Sequence, residues 1–146
     1  GCAMGFFSLP LAKLVGPGGR VIALDIQKRM LSSLARRARR KGVESIIEPR
    51  LCSQENLGLD DLCGGVDLAL AVHVAHETAY PRHFLTQIRD ALRPGGRLLL
   101  VEPSGHVTEE EFETTRNLCH EVGFAELRAS RLRRSTAVLL ERPLPS

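Results

Sequence analysis

The sequence predicts an α/β fold: a Rossmann-like, doubly wound, mostly parallel sheet with a C-terminal antiparallel hairpin. Two observations carry this. Nearly continuous apolar runs, each the length of one strand, recur at 20–25, 66–74 and 97–101, as in parallel strands covered on both faces. Stretches with apolar residues at helical spacing lie between them, and such alternation builds a parallel sheet flanked by helices. The 146 residues suit a single domain, 1–146, with enough chain to bury a core.

Taken in order, Phe7, Leu11, Leu14 and Val15 fall at i, i+4, i+7 and i+8, which predicts an amphipathic helix over 6–15. Pro10 sits early in it, and Gly16-Pro17-Gly18-Gly19 breaks it. The strand 20–25 ends in Asp25. A second helix spans 27–41, with Met30, Leu31, Leu34 and Ala38 inward and Gly42 as its stop. Residues 45–51 read as a strand at a sheet edge, because Pro49 has no N–H for a ladder. After the strand 66–74, Pro81 opens a helix whose Phe84, Leu85, Ile88, Ala91 and Leu92 share a face. Arg93-Pro94-Gly95-Gly96 ends that helix before the strand 97–101. Thr108-x-x-Glu111 is a capping box for a helix reaching Gly123. Two closing strands, about 124–132 and 136–141, flank a turn near Arg133-Arg134-Ser135 and pair antiparallel.

Composition excludes several classes. Hydrophobic residues make up 43% and charged residues 25%, ordinary for a globular domain. No apolar run reaches the ~18 residues of a membrane span and nothing resembles a signal peptide, so the expectation is a cytoplasmic protein without a membrane partner. The net charge of +3, with one Tyr and no Trp, argues against nucleic acid as a partner. Arg36, Arg37, Arg39, Arg40 and Lys41 read as a solvated helix face opposite Leu31 and Leu34. Cys2, Cys52, Cys63 and Cys119 form no CxxC pair and have no His at ligand spacing, which argues against a disulfide framework and against a metal site.

In sheets of this kind ligands bind beyond the carboxyl ends of the strands. Gly1-Cys2-Ala3-Met4-Gly5 is a small-residue loop entering a helix, where exposed N–H groups favour a carboxylate or phosphate. Asp25, twenty residues after Gly5, ends the next strand with two oxygens able to accept from the hydroxyls of a ribose. His73, His76 and Glu77 enter the loop after 66–72. Each segment alone has a bland reading: a tight connection, a helix cap, a satisfied histidine. Their order and spacing together point to a cofactor site.

These segments resemble the class I S-adenosylmethionine-dependent methyltransferases of the small-molecule type. The loop 1–8 resembles the glycine-rich first motif, with Ala3 at the middle glycine. Residues 18–25 resemble the second strand with its ribose-binding acid, 66–73 the fourth-strand motif, and 92–102, including Arg93-Pro94-Gly95-Gly96-Arg97, the approach to the fifth strand. The resemblance implies S-adenosylmethionine as cofactor. Gly1, Ala3 and Gly5 would then contact its methionine end, Asp25 its ribose and Ile26 its adenine. Ser53 or Gln54 stands where the family usually places an acid for the adenine amino group, and Val72 and His73 lie beside the sulfonium. His73 and His76 are by position the candidate general bases, His73 the first choice, with His106 a weaker third. The family's first strand, which precedes the glycine loop, is absent from the sequence.

The function expected is methyl transfer to a small-molecule acceptor by a monomer or homodimer. The alternatives are a non-catalytic methyltransferase-like binding or regulatory domain and an RNA methyltransferase. A nicotinamide-dependent dehydrogenase fits less well, since Phe6 interrupts Gly-x-Gly-x-x-Gly spacing.

Overall fold

The computed structural model describes residues 1–146, in two units, Gly1–Gln54 and Glu55–Ser146. The first contains α1 (Ser8–Val15), β1 (Val21–Asp25), α2 (Lys28–Arg40) and β2 (Ile47–Leu51). β1 and β2 pair in parallel, Val21 opposite Ile47 and Asp25 opposite Leu51. Pro49 sits on β2, which has a strand neighbour on one side only, as its missing N–H requires. The core of this unit gathers Ala12, Ala23, Leu34, Ala38, Val43 and Ile47. Glu48 of β2 takes Arg50 and Arg20, and these guanidiniums hold its carboxyl below the usual range.

The second unit contains β3 (Val66–Val72), α3 (Pro81–Ala91), β4 (Leu92–Pro103), α4 (Glu109–Glu121), β5 (Ala125–Arg131) and β6 (Ser135–Glu141). Single helical turns lie at Asp60–Leu62 and Ala75–Glu77. The sheet runs β3-β4-β6-β5, with β3 and β4 parallel and the other pairs antiparallel. Leu98 faces Leu140 and Leu100 faces Val138 across β4 and β6, and all four side chains are buried.

The α/β class and the closing hairpin are as expected, and three readings need correction. The strands form two hydrogen-bonded sheets, one per unit, as expected of a sequence without the strand that the family places between them. α1 starts at Ser8, because residues before it are held in the glycine loop by bonds such as Gly5 N–H to the Cys2 carbonyl. β3 stops at Val72, where His73 turns to a φ of 55°. β4 begins at Leu92, so Arg93-Pro94-Gly95-Gly96 lies inside a strand and does not separate it from α3. The four residues form a bulge: Val66 pairs with Leu92, and Leu68 already pairs with Arg97. Gly96 is required there, since a Cβ would lie 2.8 Å from the Arg93 carbonyl oxygen and 3.0 Å from that of Val66.

Candidate cofactor and catalytic site

The first unit brings its predicted residues to the carboxyl end of β1 and β2. The Gly1 nitrogen and the Cys2 amide N–H both donate to the Leu24 carbonyl, at 2.8 Å each. Asp25, 5% exposed, ties the loop down: Oδ2 accepts from Ala3 N–H and Oδ1 from Gln27 N–H, both at 2.9 Å. Each oxygen keeps a second lone pair, so this network leaves capacity for a ligand's hydroxyls. Cys52 N–H donates to the Asp25 carbonyl, which brings the segment carrying Ser53 and Gln54 beside it. Ile26, half exposed next to Asp25, offers an apolar surface.

Two features show why the loop has this sequence. Gly5 has a φ of 96°, and a Cβ there would meet Leu34 Cδ1 at 2.5 Å. Only glycine lets the loop lie this close to α2. Ala3 has a φ of 48°, a strained setting for a residue with a Cβ. The loop delivers the chain to α1, whose first turn has neither a capping side chain nor an acid. In that turn Leu9 N–H is taken by the Gly5 carbonyl and Pro10 has no N–H, so Ser8 N–H and the partial positive charge of the helix end are what it offers a carboxylate. This donor set is compatible with S-adenosylmethionine, whose carboxylate would meet the loop and helix amides, its diol Asp25 and its adenine Ile26.

The second unit places Val72, His73 and His76 at the carboxyl ends of β3 and β4. His73 N–H donates to the Val101 carbonyl at 2.8 Å, and its Nε2 lies 3.2 Å from Ser135 Oγ. His73 and Ala3 are the only non-glycine residues with positive φ. His76 is held twice by one carboxylate oxygen: its N–H and its Nδ1 each lie 3.0 Å from Glu102 Oε2. Glu102 is 2% exposed, and its Oε1 is buried without a partner. His106 is exposed, and its backbone N–H closes a turn onto Pro103. No group of residues in the structure has the makings of a metal site.

Glu102 is the residue that sequence reasoning missed. Its signal was the one that marked Asp25, an acid ending a continuous apolar strand, here Leu98-Leu99-Leu100-Val101-Glu102.

A methyltransferase-domain family profile matches residues 1–136. The chain belongs to the class I S-adenosylmethionine-dependent methyltransferases. S-adenosylmethionine is the cofactor of this family. The methyltransferase domain is 37% identical over 103 residues to an uncharacterised 37.1 kDa transposon protein of Streptomyces fradiae, a match covering 70% of this chain and 28% of that protein. It is 28% identical over 145 residues to carboxy-S-adenosyl-L-methionine synthase of Pseudoalteromonas atlantica, covering 96% of this chain and 59% of that one. The chain thus spans between about a quarter and three fifths of the length of these two relatives. Among solved structures, an S-adenosylmethionine-dependent methyltransferase from Aquifex aeolicus superposes with a TM-score of 0.85 at 20% identity, covering 97% of this chain and 79% of that one. The cyclase SpnF gives 0.85 at 14% identity, covering 99% and 74%. These likenesses establish the fold that the methyltransferase domain shares with them.

Proposed function

We propose that the protein transfers a methyl group from S-adenosylmethionine to a small-molecule acceptor. One observation carries the reading: the chain's only two strained non-glycine residues, Ala3 and His73, both fall on predicted site positions. Strain of this kind costs about 1–3 kcal/mol per residue and persists where a site over-determines the backbone.

When bound, the cofactor supplies an electrophilic methyl on a positively charged sulfur. Gly1, Ala3 and Gly5 hold its methionine end, Asp25 and Ile26 its nucleoside, with Ser53 and Gln54 near the adenine edge and Val72 and His73 beside the sulfonium. Orientation and the exclusion of water then carry most of the rate. Where the acceptor carries a proton, His76 removes it. Its Nδ1–H donates to Glu102, which fixes the tautomer and leaves the Nε2 lone pair free to accept. The buried carboxylate also stabilises the imidazolium that forms. This makes His76 a better base than His73, whose Nε2 is engaged with Ser135.

The test is calorimetric titration of the protein with S-adenosylhomocysteine, repeated with Asp25→Asn. Saturable binding that Asp25→Asn weakens at least about tenfold supports the site, as expected for one lost charge-assisted hydrogen bond. No binding by folded protein overturns the reading. Under single-turnover conditions Glu102→Gln should lower kcat at neutral pH and shift its pH profile, with cofactor affinity unchanged. An unaltered profile would remove Glu102 from the mechanism.

A further inference from the structure

The charges of the chain are sharply segregated. Residues 1–54 hold ten Lys and Arg against three acids, Asp25, Glu44 and Glu48, whereas residues 55–146 hold ten against fourteen. A modest overall +3 therefore conceals +7 on one unit and −4 on the other. Of the three acids, Asp25 is buried and Glu48 is taken by Arg20 and Arg50.

The surplus gathers on α2, which contains no acid at all. Arg29, Ser33, Arg36, Arg37 and Arg40 fall at i, i+4, i+7, i+8 and i+11, a stripe opposite the buried Leu31, Leu34 and Ala38. None of these arginines has a carboxylate partner. Like-charged side chains one turn apart repel by a few tenths of a kcal/mol per pair. The last-turn carbonyls offset only about half a charge, against five cations from Arg36 to Lys41. A solvated helix face needs neither this repulsion nor what accompanies it: Ser33, Arg36, Arg37, Arg40 and Lys41, together with Met4 and Leu9, line a cavity of about 510 Å³. That volume is in the range of small-molecule sites. Arg36 donates to Ser33 Oγ at 3.2 Å, which leaves the hydroxyl proton of Ser33 to donate into the cavity.

We infer that this cavity binds the oligophosphate group of a small molecule, the chemical class of a nucleoside di- or triphosphate. Planar guanidiniums bind phosphate oxygens in bidentate pairs, and successive phosphates can each take one arginine of the stripe. Met4 belongs both to the cavity wall and to the glycine loop, so an occupant here contacts the loop proposed to hold the cofactor. The inference stands on geometry and charge and does not depend on the methyl-transfer reading.

The test is calorimetric titration with inorganic triphosphate at near-physiological salt, against wild type, Arg36→Gln/Arg40→Gln, and the exposed control Arg133→Gln/Arg134→Gln. The expected result is saturable binding, weakened at least tenfold in the first variant and unchanged in the control. All four substituted side chains are exposed, so the variants keep their fold. Equal loss in both variants, or no binding, overturns the proposal. Two further probes decide the source of the anion. Binding of a twelve-residue oligouridylate without binding of triphosphate would overturn the small-molecule assignment in favour of a nucleic acid. Poly-L-glutamate binding as tightly as triphosphate would overturn the phosphate assignment in favour of an acidic protein surface.

Discussion

Asp25 and Glu102 have the same place in the chain, an acid ending an apolar strand, and do different work. Asp25 spends one lone pair of each oxygen on backbone amides and so fixes a loop. Glu102 spends one oxygen on His76 and leaves the other unpartnered. The sequence shows the acid but not which distant group comes to meet it, because Ala3 lies 22 residues from Asp25 and His76 lies 26 from Glu102; only Gln27 is a local partner. Candidate residues were legible wherever local pattern suffices: the glycine loop, the strand-end acid and the two histidines. The cysteines give a prediction at the same scale. Burial raises the Cys119 thiol to about 12 and the Cys2 thiol to about 11, while Cys63 is exposed. Thiolate is the reactive form, so iodoacetamide at pH 8 should alkylate Cys63 first and reach Cys2 and Cys119 only in denaturant. Mass spectrometry of timed aliquots checks this, and Cys119 labelling at the rate of Cys63 would contradict it.

Elements were read well where one signal governs them. The capping box closes in both directions: Glu111 N–H donates to Thr108 Oγ1 at 3.1 Å, and Thr108 N–H to Glu111 Oε2 at 2.8 Å. Thr108→Ala removes one half and should cost about 1 kcal/mol, the usual value for an N-cap. A lower urea midpoint with an unchanged m-value would show it, and no shift would mean that packing around Phe112 dominates the helix start. Elements were misread where a turn signal lies inside a strand. Pro94-Gly95-Gly96 carries every mark of a loop, and the surrounding ladder nonetheless absorbs it as a bulge because Leu92 and Arg97 both find partners on β3. Pairing across chain distance, which a local reading cannot see, decided that case.

At the scale of the molecule, family membership was legible because the four motif segments occur in the right order over most of the chain, and no helix is long and apolar enough to cross a membrane. Charge was read less well, since a sum over the sequence hides its distribution. A chain whose units differ in sign is its own counter-ion: the positive unit of one copy attracts the negative unit of another. Such attraction operates within a Debye length, about 30 Å at 0.01 M salt and about 8 Å at 0.15 M. Light scattering should therefore give a negative second virial coefficient in dilute buffer that rises toward zero or above as salt is added, the reverse of ordinary charge-stabilised behaviour. Repulsion at low salt would contradict this. Low ionic strength would then drive the protein toward turbidity and phase separation, and salt would keep it dispersed.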